Sequence, residues 1–443
     1  MKFTRFFIVL FSSVSIATFG QNNYRFYVDI KNCKDDKLKV ELLVPVVKKQ
    51  EVIYRLPKMV PGTYEIYNFG RLVSGFNAFD DSGNELNVER LDKNSWKITN
   101  ADKLNKIVYE VDDSWDEPHS NKESFIFEPG GSNFEEGKNF VLNAQCIFGY
   151  IDGMIHVPYE INIKHSSELY GACSLTDVAY GKDVDVFHAP DYMRLQDAPM
   201  MYCVPDTTVL DIGGTQVLIS VYSPNKVVTS KFIAEKINEI LVAQQAYLGG
   251  KLPIKKYVYL IYLTPRKGGS GSSGALEHSY SSMYFLPEME PEQLAQHVKD
   301  VSAHEFFHIV TPLSIHAEQI GNFDYANPKM SEHLWLYEGM TEYAAGLVQV
   351  KYGKMSITDY LKVIDTKIQR KKAYNDSLPF TVMSKGCLDT YKDQYGNVYQ
   401  KGALIALCLD IQLRYLSKGM YGVQELMKDL SKTYGNDKSF KDE

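Results

Sequence analysis

Residues 301–310 read VSAHEFFHIV. His304 and His308 are four apart, so a helix through them presents both imidazoles on one face, close enough to bind one metal ion. Glu305 stands beside them, placed to take a proton from a water activated there. The surroundings favour that helix, because Pro291 suits its first turn and Pro312 ends it. A core helix that happens to carry two histidines is the competing reading, and the downstream sequence weighs between them.

A catalytic metal needs a third protein ligand and an open position. The stretch SEHLWLYEGMTEYAAGLVQV (331–350) predicts a helix from about Glu332 to Tyr352, with Glu338 and Glu342 again four apart on one face. We read Glu338 as the ligand and Glu342 as the carboxylate that holds a ligand histidine in its tautomer. Glu318 falls in a loop, and Glu332 sits at a helix start, where the dipole already favours a carboxylate. His316 and His333 read as ordinary surface or core histidines. Gly339 inside this helix costs about 1 kcal/mol relative to Ala, which predicts that another element approaches closely there. A tyrosine hydroxyl would suit the oxyanion opposite the metal, since it stays a neutral donor at pH 7. With 31 tyrosines in the chain, composition chooses none of them.

Upstream, GGSGSSGALEH (268–278) ends a glycine-rich loop in a carboxylate. No Lys-Ser/Thr follows and no helix begins, so the pattern does not read as a phosphate loop. Its small residues would instead let a peptide backbone lie close to the edge strand that follows. A flexible hairpin is the plainer alternative.

The wider chain reads as a multidomain α+β protein. Short β-branched and alternating runs separated by turn signals fill about 22–205 and predict a β-sandwich-like domain over 21–205. MVPGTYEI (59–66) predicts a Pro-Gly turn between two strands. From 206 the pattern becomes strand, amphipathic helix, buried strand and then helices. The last three helices are expected after Ser356, over about Val398–Leu416 and over about Val423–Thr433. This defines a second domain over 206–443, a small α/β layer plus a helical subdomain. Residues 1–20 have Lys2 and Arg5, then an apolar core and small residues, the layout of a secretory signal peptide. The apolar run is shorter than the roughly 20 residues a span needs, so no stable membrane anchor is expected, and the protein reads as exported, periplasmic or extracellular. Six cysteines show no metal spacing; some could pair, and Cys408 in ALIALCLDIQL reads as a buried core thiol. A net charge of −7 without a basic block argues against nucleic acid.

Taken together, GALEH, HEFFH, LWLYEGMTEY and VYQKGALIALCLDIQLR resemble the glycyl aminopeptidase family of zinc metallopeptidases (the M61 group), a relative of the aminopeptidase N family. LPKMVPGTYEI and YMRLQDAPM look like further segments of that family, although Met59 and Val60 stand where it carries a Trp before the Pro-Gly turn. The resemblance implies a thermolysin-like catalytic fold and one zinc ion on His304, His308 and Glu338, with Glu305 as base. It implies Tyr399 as the transition-state donor. It also implies Glu277 as the group that binds the substrate's free amine, with Gly274 and Ala275 of the same segment against the peptide. Members usually continue into further helices and a PDZ domain, which are expected here to be either absent or truncated. The expected activity is hydrolysis of the first peptide bond, with small first residues such as Gly and Ala preferred. A zinc endopeptidase on the same scaffold and a non-catalytic peptide-binding protein are the alternatives.

Overall fold

The computed structural model describes residues 22–116, 125–312, 314–435 and 438–442, and the expected leader, 1–20, lies outside them. Tyr24–Asp29, Lys37–Leu43 and Leu104–Asp112 alternate inward and outward positions, the period-2 signature of a sheet with one wet face. They form the middle of an eight-stranded sheet, in which Tyr24–Asp29 pairs antiparallel with Lys37–Leu43 and parallel with Tyr159–Lys164. A four-stranded sheet containing Glu51–Arg55 and Ser95–Thr99 shares its apolar core. Between the two, the rings of Tyr54 and Tyr109 lie 6.1 Å apart and their hydroxyls 3.0 Å. The N-terminal part is thus β-rich, as its alternation predicts.

A five-stranded sheet follows, in the order Thr207–Ile212, Thr215–Tyr222, Lys256–Thr264, Ser281–Pro287, Gly274–His278. Its three inner strands are parallel and both outer pairings antiparallel. The central strand is buried from Tyr257 to Leu263 because both its faces are covered. Tyr257, Tyr259, Ile261 and Leu263 meet the helices Ser230–Tyr247 and Pro291–Phe307. Val258, Leu260 and Tyr262 meet Val141, Ala172, Met201 and Cys203 of another four-stranded sheet. Gly274–His278 is the sheet's last strand, so among the described residues no strand pairs with its outer edge.

The glycine-rich loop before that strand is docked against the β-rich part. Ser270 N–H donates to Glu128 Oε1 at 2.9 Å. A Cβ on Gly268 would stand 2.2 Å from the same oxygen. The Pro-Gly turn stands between two strands, as expected, although those two strands do not pair with each other. It lies in the irregular connection between Glu51–Arg55 and Val73–Asp80, whose turn residues reach across to the helical part, as described below.

The helices Pro291–Phe307, Met340–Lys351, Ile357–Arg370, Ala403–Leu416 and Val423–Tyr434 stand where the periodicity puts them. Two of them open with a wider π-helical turn, Trp335–Gly339 and Val398–Gly402, so the helix expected from Glu332 begins later. A short helix, Phe380–Lys385, has no counterpart in the sequence reading. The two π turns touch each other: a Cβ on Gly339 would lie 2.6–2.9 Å from the backbone of Gly402. That is the close approach a glycine at this position predicts. Gly339→Ala is therefore expected to destabilise the protein by about 1–3 kcal/mol through overpacking, read as a lower urea midpoint. A wild-type midpoint would mean that the two turns separate without cost.

Cys33, Cys173, Cys203 and Cys387 are buried thiols, and Cys408 is exposed rather than buried. The helix Ala403–Leu416 buries only the side carrying Ala403, Ala406 and Asp410. Its apolar content misleads, because Ile411, Tyr415 and Leu416 also face outward. Among the described residues no helix is long and apolar enough to cross a membrane.

Candidate active site

The helix Pro291–Phe307 begins on Pro291 and delivers its histidines at its C-terminal end, with His308 as the capping residue. Their rings are 4.9 Å apart. His304 Nδ1 lies 2.8 Å from Glu342 Oε2, and His308 Nδ1 lies 2.8 Å from the Thr311 carbonyl oxygen. Both neighbours can only accept, so each Nδ1 carries the proton and each Nε2 is left with a lone pair. These bare nitrogens turn toward one atom, Glu338 Oε2, at 3.3 Å from His304 and 3.8 Å from His308. Three such atoms facing one another need a cation among them, a metal ion or, without one, a second proton on His304. The donor set, two imidazole nitrogens and a carboxylate oxygen, is one that zinc takes in catalytic sites. The residues present therefore fit a metal ion.

Glu338 is 1 % exposed and is presented by the π turn. Its other oxygen, Oε1, accepts the Tyr64 hydroxyl at 2.8 Å. Burial alone would push this carboxyl up, but His308, His304 and the Tyr64 hydroxyl outweigh it and hold Glu338 below the usual range. Burial likewise opposes ionisation of Glu342, yet His304 and Lys367 hold it at about 2. Lys367 Nζ donates to Glu342 Oε1 at 2.6 Å and to the Tyr399 carbonyl at 3.0 Å. His304 is raised well above its ordinary value despite burial, through Glu338 and Glu342. His308 is lowered to about 4, mainly by burial.

Glu305 is 6 % exposed, and its Oε2 has no hydrogen-bond partner among the described residues. Burial raises it to about 7; the His304 charge pulls it down while Glu338 and Glu342 push it up. Glu277 comes from the edge strand, and oxygen atoms of Glu277 and Glu305 and a ring nitrogen of His308 fall within 4.8 Å of one another. Burial first, then the charges of Glu338 and Glu305, push Glu277 well above the usual carboxylate range. The Tyr399 ring lies 5.8 Å from that of His304, and its hydroxyl lies 2.7 Å from the Tyr395 hydroxyl. Burial and Glu338 keep Tyr399 a neutral phenol.

Gly274, Ala275, Glu277, His304, Glu305, His308, Glu338, Glu342 and Tyr399 all line one cleft of about 690 Å³. His316 and His333 lie outside the metal-type cluster, contacting the Pro312 carbonyl and Asp442. Glu332 pairs with Lys385. Tyr64, Tyr395, Lys367 and Thr311 were not found by sequence reasoning. For Tyr64 the signal was the segment PGTYEI, read as a turn and as a family-like segment but given no role in the site.

A buried acid beside three convergent metal donors is the equipment of a metallopeptidase, and comparison with known families makes the class definite: the protein is a metallo-aminopeptidase hydrolase. It belongs to the M61 peptidase family. The family model described as Peptidase M61 N-terminal domain matches residues 25–204, and the one described as M61 glycyl aminopeptidase matches 297–405. Solved structures share the fold. An aminopeptidase N family protein from Idiomarina loihiensis superposes over 94% of this chain and 70% of its own, at 20% identity and TM-score 0.81. An M1 zinc metallopeptidase from Deinococcus radiodurans does so over 94% and 88%, at 12% identity and TM-score 0.52. A mutant of that enzyme, bound to a Tyr-Ser-Ala substrate, has the same coverage, identity and score. No curated protein matches the sequence.

Proposed function

We propose that this protein is an exported zinc aminopeptidase that removes the first residue of peptides with a free amino end, small residues such as Gly and Ala foremost. The observation that carries the reading is the position of Glu277, which faces Glu305 and His308 across less than 4.8 Å at the end of an edge strand. A carboxylate there would pair with the substrate's ammonium, and the peptide would run on along Gly274 and Ala275 by strand addition. One zinc ion, held by His304, His308 and Glu338, would supply a Lewis acid that polarises the scissile carbonyl and acidifies the attacking water. Glu305 takes the proton of that water and passes it to the leaving amine. Glu342 keeps the His304 proton on Nδ1, so that Nε2 stays free. Tyr399 donates a hydrogen bond to the oxyanion.

We assign residues 1–20 to a signal peptide, 21–205 to the β domain and 206–443 to the catalytic domain. Export is supported by the basic-then-apolar layout of the first residues. The preference for small residues is supported by the description of the matching family. Purified protein should contain one zinc per chain, lose activity to a chelator and regain it with zinc. On a panel of aminoacyl anilides it should turn over Gly and Ala best, and a flat or aromatic-first profile would refute that preference. Tyr399→Phe removes one donor and little volume. It is expected to cost about 100- to 1000-fold in kcat with little change in KM. Near-normal kcat would hand the role to another group.

A further inference from the structure

The connection that carries the Pro-Gly turn is built to reach the cleft. Thr63 N–H and Oγ1 both meet the Val60 carbonyl, at 3.3 and 2.8 Å, closing the turn. Tyr67 and Asn68 N–H groups, each at 2.9 Å from the Lys58 carbonyl, tie down the far side of the segment. Lys58 N–H in turn donates to the Tyr325 carbonyl at 2.9 Å. Between these ties, two residues are held in the left-handed region, Gly62 at φ +84° and Tyr64 at φ +47°. The first is natural for glycine; the second is rare for a bulky L-residue and persists only where the surroundings enforce it.

Both residues touch carboxylates of the site. An ideal Cβ on Gly62 would stand 2.7 Å from Glu277 Oε1 and 2.9 Å from Oε2, so any side chain there would push that carboxylate aside. The Tyr64 ring packs 4.9 Å from Tyr395, and its hydroxyl donates to Glu338 Oε1. Glu338 has two oxygens, and the Tyr64 bond engages Oε1. That leaves Oε2 as the atom facing His304 and His308. A carboxylate oxygen can only accept, so in this bond the Tyr64 hydroxyl is the donor.

We propose that the turn formed by residues 60–64 is a positioning device that the β-rich part inserts into the catalytic cleft. Tyr64 fixes which oxygen of Glu338 meets the metal, and Gly62 fixes the carboxylate of Glu277. Neither touches the reacting atoms; each acts through the carboxylate it holds. The inference rests on the zinc reading above, but its main readout needs no substrate, so failure of the aminopeptidase reading leaves that readout intact.

The test uses the full chain. In Tyr64→Phe the ring remains against Tyr395 and only the donor is lost. Zinc affinity, measured by competition with a chelator well below the melting temperature, is expected to fall about 10- to 100-fold, as on loss of other groups that orient a ligand. The visible spectrum of the cobalt-substituted protein should change as Glu338 becomes free to turn. A purely structural tyrosine would lower the melting temperature and move neither. In Gly62→Ala, zinc affinity should stay at the wild-type level while KM for a free-amine tripeptide rises about tenfold or more, about one factor of ten per 1.4 kcal/mol. Wild-type zinc affinity and cobalt spectrum in Tyr64→Phe overturn the proposal, as does a wild-type KM in Gly62→Ala. If Gly62→Ala does not fold, the metal measurements on Tyr64→Phe decide alone.

Discussion

Glu305→Gln is expected to keep its zinc and to lose turnover by about 100- to 10,000-fold, the range that a positioned general acid–base contributes. Glutamine preserves the shape and the buried position but cannot accept a proton. Without metal, burial raises the wild-type carboxyl to about 7, and a dication beside it would favour the ionised form that accepts the proton. Its Oε2 makes no hydrogen bond among the described residues, so no local partner competes for that proton. The metal donors are different atoms, on His304, His308 and Glu338, and they converge without Glu305. Glu338→Ala should therefore behave in the opposite way, with zinc content falling along with activity. Elemental analysis beside steady-state rates on an alanyl anilide separates the two. A Gln variant that sheds zinc, together with an Ala variant that keeps both zinc and rate, would reverse the roles.

How much of this could be read beforehand depended on how local each cause is. The spacing of His304 and His308 lies within one helix, and a helix period is visible in any ten residues. The same holds for Glu338 and Glu342, although the π turn that carries Glu338 left no readable mark. Gly339 pointed to a close neighbour but could not say that the neighbour is Gly402. The buried strand Lys256–Thr264 was legible because covering both faces removes alternation altogether. Contacts between distant segments were not legible. Tyr64 reaches Glu338 across 274 residues, and nothing in PGTYEI says that its tyrosine enters the cleft of the helical part. Lys367 is one of many lysines on polar helix faces, and only the fold turns it toward Glu342. Cys408 failed for a related reason: an apolar run predicts burial only if something covers it, and cover is a tertiary property. Tyr399 came from the resemblance alone, since its neighbours in sequence give no chemical reason to prefer it.

Peptides blocked at the amino end are expected to be cleaved poorly or not at all, and Glu277→Ala should mimic that loss on free-amine peptides while leaving zinc in place. In the free protein Glu277 is an uncomfortable carboxylate, pushed up by burial and by the charges of Glu338 and Glu305. An α-ammonium, charged below a pKa of about 8, supplies the missing counter-charge when it arrives. The pair then forms a charge-assisted hydrogen bond in a desolvated place. Acetylation removes the charge, and Glu277 then takes a proton instead of holding the chain end. Loss of a hydrogen bond to a charged group costs about 1.5–3 kcal/mol, which at about 1.4 kcal/mol per factor of ten is a loss of about 10- to 100-fold in kcat/KM. The anchor also sets the position of cleavage. Donor atoms of Glu277, Glu305 and His308 lie within 4.8 Å of one another, so a chain end held at Glu277 has its first carbonyl, and no later one, within reach of Glu305. The measurement is a matched pair of tripeptides, free and N-acetylated, followed by product analysis, with Glu277→Ala run on the free one. Removal of a single residue from the free peptide, with KM raised and kcat lowered in Glu277→Ala, is the expected result. Efficient internal cleavage of the acetylated peptide by the wild type would remove the anchor from the mechanism and leave an endopeptidase on the same metal site.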